Sequence, residues 1–315
     1  MERTQQEEMK FHGVFGIFKE GHKIMAPYRR LFNEITLAFI LPLSIIYLAE
    51  IDVSSILHFR IALMPLDDDG NPNTSKDWAS YVLYKLAYYT FLVIFSLLST
   101  SAVVYSIACI YANRDISLKK VIGVVPKVWK RLMITFVVTY GFTFIYIVIA
   151  VSTMGLCLAI HGTTSLVIFF VLLLVYIIGF VYLTIVWQLA SVVTVLEDSS
   201  GVKAMKKSIN LIKGKFWVAL AIFLELIVLI GVIEFVYYVY VVDQDLGEIW
   251  KRLLVGISCL VLLVPIFLYG LVLQTIIYFV CKSHHNETID KPTMSNHLGG
   301  YERLYSPDEV QMEQV

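Results

Sequence analysis

The 315-residue sequence predicts an all-α integral membrane protein with six transmembrane helices in three hairpins, each preceded by a basic amphipathic interfacial helix. Composition is the first reason: 58% of the residues are hydrophobic and 16% charged, with a mean hydropathy of +0.75, whereas soluble domains hold roughly 45–50% apolar and roughly 25% charged residues. The second is the length of the charge-poor runs, since a hydrocarbon core of about 30 Å takes about 20 helical residues at about 1.5 Å each. The third is the placement of the cations. Of the 25 Lys and Arg residues, six precede Leu31, six lie from Arg114 to Arg131, five from Lys203 to Lys215 and three follow Cys281. Six spans put these four segments on one side and leave five cations on the other, the asymmetry of the positive-inside rule.

The elements follow in order. Residues 1–30 are a cytosolic N-terminal segment with an amphipathic helix, and 31–281 are the membrane domain. Its first span, about 31–49, has Asn33 and Glu34 at one end and Pro42 in the middle, where a membrane helix tolerates a kink. An outer loop at 51–81 carries Asp52, Asp67, Asp68, Asp69 and Asp77 around Gly70-Asn71-Pro72-Asn73, and a second span covers 86–112. Leu132 to Leu196 is uncharged with a neutral His161 but too long for one helix. The turn-like cluster His161-Gly162-Thr163-Thr164-Ser165 divides it into spans 132–160 and 166–196. Spans 216–242, interrupted by Glu225 and Glu234, and 253–281 complete the set. Residues 282–315 are polar, with Pro292, Gly299, Gly300 and Pro307, and are expected to form a disordered cytosolic tail. Both termini then face the cytosol, in a secretory-pathway or plasma membrane.

The three basic segments repeat one another. Gly16-Ile17, Ser117-Leu118 and Gly201-Val202 are each followed, fourteen residues on, by Arg30-Leu31-Phe32, Arg131-Leu132-Met133 and Lys215-Phe216-Trp217. Apolar residues between these anchors recur at helical spacing: Leu118, Val121, Ile122, Val125, Val128 and Trp129 in the second, Val202, Met205, Ile209 and Ile212 in the third. In the first, Pro27 ends the helix early. Helices of this pattern lie in the membrane interface. Lys119, Lys120, Lys127, Lys130, Arg131, Lys203, Lys206, Lys207, Lys213 and Lys215 are accordingly expected to face anionic lipid, at roughly 1 kcal/mol per basic residue near a charged leaflet.

The stretch Trp187-Gln188-Leu189-Ala190-Ser191-Val192-Val193-Thr194-Val195-Leu196-Glu197-Asp198, then Gly201-Val202-Lys203-Ala204-Met205-Lys206-Lys207-Ser208 and Leu211-Ile212-Lys213-Gly214-Lys215-Phe216-Trp217, resembles the six-helix membrane-domain-like families of glycerophosphodiester phosphodiesterases. It is also similar to a group of plant multi-pass membrane proteins, to which His297-Leu298-Gly299-Gly300-Tyr301 adds likeness. The resemblance implies a six-helix membrane fold. Catalysis in the phosphodiesterase proteins belongs to a separate soluble domain, and nothing of that size stands here outside the spans, so the activity is not carried over.

Acidic residues inside spans are functional candidates, because they cost about 2.5–3.5 kcal/mol on insertion scales. Glu225 lies nine residues, about 13 Å, into the fifth span, and Gln188 and Gln274 fall at similar depth, as do Thr139, Tyr140 and Ser101. If these faces converge they form an intramembrane polar layer, either a proton or cation site or interhelical glue. Glu234 and Lys85 are expected to pair at the outer interface. Asn73 is a glycosylation candidate in Asn-x-Ser/Thr, and Tyr301 with Leu304 forms a Tyr-x-x-hydrophobic sorting motif. Cys109, Cys157, Cys259 and Cys281 all sit in apolar stretches as small hydrophobes, and His284-His285 has no third ligand at useful spacing, so neither a disulfide framework nor a metal is expected. No cofactor, nucleic-acid site or cleaved signal peptide is expected either. Two functions stand open: a non-enzymatic membrane organiser, trafficking factor or accessory subunit whose tail meets a cytosolic protein, or a small-solute or ion transporter working through Glu225, with Pro42 and Pro265 as helix-breaking support.

Overall fold

The computed structural model describes residues 13–62, 74–114, 116–159, 163–242 and 249–285, and among these the regular structure is entirely helical. Helix α1 (Val14–Met25) is followed by α2 (Arg29–Ile35), which passes through a π-helical turn at Thr36–Ile40 into α3 (Leu41–Ala62). Then come α4 (Thr74–Tyr111), α5 (Leu118–Ala159), α6 (Thr163–Leu196), α7 (Val202–Ile212), α8 (Phe216–Tyr237), extended by a second π-helical turn at Tyr238–Val242, and α9 (Ile249–His284). Six stretches are long and apolar enough to cross a bilayer: Arg29–Ser55, Tyr81–Tyr111, Val128–Ala159, Ser165–Leu196, Phe216–Val242 and Ile249–His284. The chain is a multi-pass membrane protein.

Local chemistry explains the breaks. The first span does not need a sharp kink at Pro42, because the π-turn just before it lets the Leu41 N–H reach the Thr36 carbonyl and accommodates the register change where a proline has no N–H to give. Helix α1 stops at Met25, ahead of Pro27, and the Tyr28 N–H closes the turn on the Met25 carbonyl at 3.2 Å. Gly214, at φ +96°, turns the chain between α7 and α8.

Three expectations are corrected. The outer segment 51–81 is not a loop throughout, since α3 runs on to Ala62 and α4 begins at Thr74. Glu50 and Asp52 therefore belong to a helix. The second basic segment is not a separate interfacial helix but the first turns of α5, which is 42 residues long and contains Pro126. Between Pro126 and Leu132 there is no residue suited to positive φ, so nothing breaks the chain there as Gly214 does after α7. Finally, the apolar stripes of all three segments are turned largely into the protein, with Ile122 and Val202 left exposed. Ile17, Ile24 and Met25, then Val121, Val125 and Val128, then Ala204, Met205, Leu211 and Ile212 are all buried by other parts of the chain.

The described helices divide into two compact units. One contains residues 104–223 and 272–285 with α1. In it α5 and α6 form an antiparallel hairpin, and α7 packs on both. The Tyr146 hydroxyl donates to the Tyr176 carbonyl at 2.8 Å, and the hydroxyls of Thr153 and Tyr176 lie 2.8 Å apart, tying the hairpin together. Helix α1 sits tightly on α9, since a Cβ at Gly21 would meet the Ile276 side chain at 3.4 Å. The rings of Tyr111 and Phe279 meet at a tilt of 50° with centroids 4.5 Å apart. The other unit contains residues 25–103 and 224–271, with a core of Leu48, Ile233, Tyr237, Val241, Cys259 and Leu263, and Tyr47 packed edge-on to Phe267 at 5.4 Å.

Candidate functional site

The densest polar chemistry among the described residues lies where α6 ends. The Glu197 N–H makes a last helical bond to the Val193 carbonyl at 2.8 Å, and the chain then runs Glu197-Asp198-Ser199-Ser200-Gly201 into α7. Gly201 takes φ 60° and ψ −130°, a conformation open essentially to glycine. Its N–H donates to the Thr135 hydroxyl of α5 at 2.8 Å, and that hydroxyl is 2.9 Å from the hydroxyl of Thr194 on α6. Arg131, also on α5, donates to the Asp198 carboxylate at 2.8 Å and to the Glu197 carbonyl at 2.7 Å. A guanidinium here satisfies an orphan carbonyl and complements the negative end of the α6 dipole.

Glu197 is the centre of this cluster. One carboxylate oxygen accepts from the Lys207 ammonium of α7 at 2.7 Å. The other accepts from the Tyr278 hydroxyl at 2.6 Å and the Lys282 ammonium at 3.0 Å, both of α9. Burial pushes this carboxyl up, but the hydrogen bonds from Lys207 and Tyr278 and the charge of Lys282 outweigh it and hold it below the usual carboxylate range. Three donors from two other helices thus converge on this one carboxylate. What it does is join α6, α7 and α9, with α5 joined through Arg131. His285 closes the far end of α7: its Nε2 is 3.1 Å from the Leu211 carbonyl and 3.0 Å from that of Lys213, so it donates into the last turn of the helix.

The residues expected to form a polar layer each have their own surroundings. Glu225 is exposed on the outer surface of α8 and has no hydrogen bond or ion pair among the described residues. This corrects the expectation that it faces the bundle interior. Thr139 is buried but donates to the Thr135 carbonyl of its own helix at 2.8 Å, and Ser101 donates to the Leu98 carbonyl at 3.0 Å. In an apolar setting the nearest acceptor for such a hydroxyl is the carbonyl three or four residues back, which takes up its one O–H and leaves it only an acceptor toward a neighbour. Tyr140 is exposed, its ring against Phe136 at 4.1 Å and Trp187 at 5.0 Å. Gln188 and Gln274 are half-buried, and the Gln274 amide nitrogen is buried with no hydrogen-bond partner among the described residues.

Nor do Glu234 and Lys85 pair. Lys85 donates to Glu50 and lies 3.3 Å from the Ser54 hydroxyl, while Glu234 accepts from Tyr47 and Asp52 from Tyr237. Ending the first span at Ala49 left Glu50 out of account and put Asp52 in a loop, and the place of Glu50 on α3 supplies Lys85 with a nearer partner. Among the cations expected to face lipid, Lys119, Lys120, Lys130, Lys203, Lys206 and Lys213 are exposed, Lys213 near the Asn210 side chain at 3.1 Å. Lys215 is half-buried, and Arg131 and Lys207 turn instead to Asp198 and Glu197. Asn73, Tyr301 and Leu304 lie outside the described residues, as does the side chain of Lys127.

Sequence reasoning passed over Glu197, Thr135, Thr194, Tyr278 and Lys282. The signal was present in one respect: Glu197-Asp198 are two acids at the edge of a segment that otherwise gathers cations. A family model described as a domain of unknown function, DUF8558, matches residues 1–315. No curated protein and no solved structure matches the chain.

Proposed function

The chain belongs to the DUF8558 family, and from its own residues we propose that it is a non-enzymatic membrane organiser, trafficking factor or accessory subunit that presents a lysine-covered face to an anionic cytosolic leaflet. One observation carries the reading: α7 buries Ala204, Met205, Leu211 and Ile212 against the protein and leaves Lys203, Lys206 and Lys213 exposed. A helix held in this way has its charges pre-positioned. It joins the end of one span at Leu196 to the start of the next at Phe216, which keeps it at membrane-surface level. The Lys119, Lys120 and Lys130 side chains of α5, on which α7 packs, add to the same charge. The cation asymmetry of the sequence supports a cytosolic location for this face, with the Tyr301 and Leu304 motif on the same side for a protein partner. The likeness to glycerophosphodiester phosphodiesterase membrane domains and plant multi-pass proteins is kept as a proposal for the fold family, without the enzymatic activity.

The test uses the full chain in nanodiscs of mixed phosphatidylcholine and fluorescent phosphatidylserine. Enrichment of the anionic lipid around the native protein, reduced about tenfold or more by Lys203→Gln, Lys206→Gln and Lys213→Gln together, supports the reading, given about 1 kcal/mol per cation. Equal enrichment for both proteins, or none for either, overturns it.

A further inference from the structure

Glu225 has no place in the lipid-facing reading of α7, and its position is unusual. It stands nine residues from Phe216 and seventeen from Val242 on a helix that crosses the membrane, and its side chain is exposed. Ala221, Val228 and Val232, at spacings of four, three and seven residues, share its face and are exposed too, so the carboxyl projects from an otherwise apolar stripe. Ionisable groups within spans are usually turned to a bundle interior and paired there. This one is turned outward.

We infer that the Glu225 face of α8 is a docking surface for a spanning helix of another protein that carries a Lys or Arg at matching depth. Charge complementarity chooses the occupant. Every Lys and Arg within this chain's own spans lies within four residues of a span end: Arg29, Arg30, Lys85, Lys130, Arg131, Lys251, Arg252 and Lys282. None reaches the level of Glu225, so a second copy has no cation to offer there, and a two-fold contact through this face would set carboxyl against carboxyl. The partner of complementary chemistry is therefore heterologous. Within the bilayer core, with no competing water, an ammonium or guanidinium donating to this carboxylate joins a charge-assisted bond to the close packing of the apolar stripe.

The experiment uses the full-length chain, labelled at its amino terminus, in phosphatidylcholine vesicles with synthetic Leu/Ala spanning peptides that carry an acceptor dye. One peptide has a single Lys at the depth of Glu225, one has Leu there, and one has the Lys moved seven residues toward its end. Energy transfer to the matched Lys peptide at about tenfold lower peptide-to-lipid ratio than to either of the others is expected, with the preference removed by Glu225→Leu. The displaced-Lys comparison uses the unaltered protein, so it stands whatever the variant does to folding. Equal association of all three peptides overturns the inference, as does transfer between two copies of the chain that Glu225→Leu abolishes.

Discussion

Replacing Glu197 with Gln removes one charge and keeps the shape, which isolates what the carboxylate does at the junction of α6, α7 and α9. The amide oxygen can still accept from Tyr278 and Lys282, but an NH2 group then faces the Lys207 ammonium at a position where the oxygen stood 2.7 Å away. One charge-assisted bond, about 1.5–3 kcal/mol, is lost outright and two are weakened. The Lys207 side chain is 33% exposed and its ammonium can turn to water, which limits the total to about 2–3 kcal/mol. Unfolding in mixed dodecyl maltoside and SDS micelles measures it, and Lys207→Met with the double variant completes a cycle whose expected coupling is about 1–2 kcal/mol. The folded carboxyl titrates below its unfolded value of about 4.3. Its stabilisation is thus fully present above that unfolded value and is lost as pH falls through the folded one. The difference between native and Gln proteins should be full at neutral pH and shrink in acid below that window. Additive single variants, with coupling below about 0.3 kcal/mol, would refute the claim that this carboxylate links the two helices.

Gly201→Ala should cost about 1–3 kcal/mol in the same unfolding assay through its backbone alone, because the new Cβ meets only Val138 and Ile134 at ordinary distances of 3.5 and 3.6 Å. Gly214→Ala carries a steric cost as well, since its Cβ would collide with the His284 ring. Adding His284→Ala should recover part of the loss and leave the share due to φ +96°. Tyr47→Phe deprives half-buried Glu234 of its donor and should cost about 1–3 kcal/mol. The same change in a Glu234→Leu background should cost much less, and equal losses in both backgrounds would mean that the hydroxyl contributes nothing through Glu234.

The spans were legible because a membrane makes one demand of a segment, a long run without charge, and this demand is written in consecutive residues. The separation of α5, ending at Ala159, from α6, beginning at Thr163, and the end of α1 before Pro27 were legible for a related reason, as turn chemistry is local, although His161 and Gly162 themselves lie outside the described residues. Glu197 was less so. Its partners lie ten residues away on α7 and more than eighty away on α9, and no spacing rule connects Lys207 with Lys282.

The same division runs through every corrected residue. The sequence alone determined that six helices cross a membrane and where the cations gather, because hydropathy and charge act on each segment separately against one solvent. Which way each polar side chain turns was left to the tertiary structure. Glu225, Glu234 and Lys85 could each be placed by depth from the sequence, but depth is only one coordinate of a helical residue. Rotation about the helix axis is the other, and the packing of neighbouring helices sets it. That packing turned Glu225 outward, gave Lys85 to Glu50, and folded the apolar faces of the basic segments into the protein.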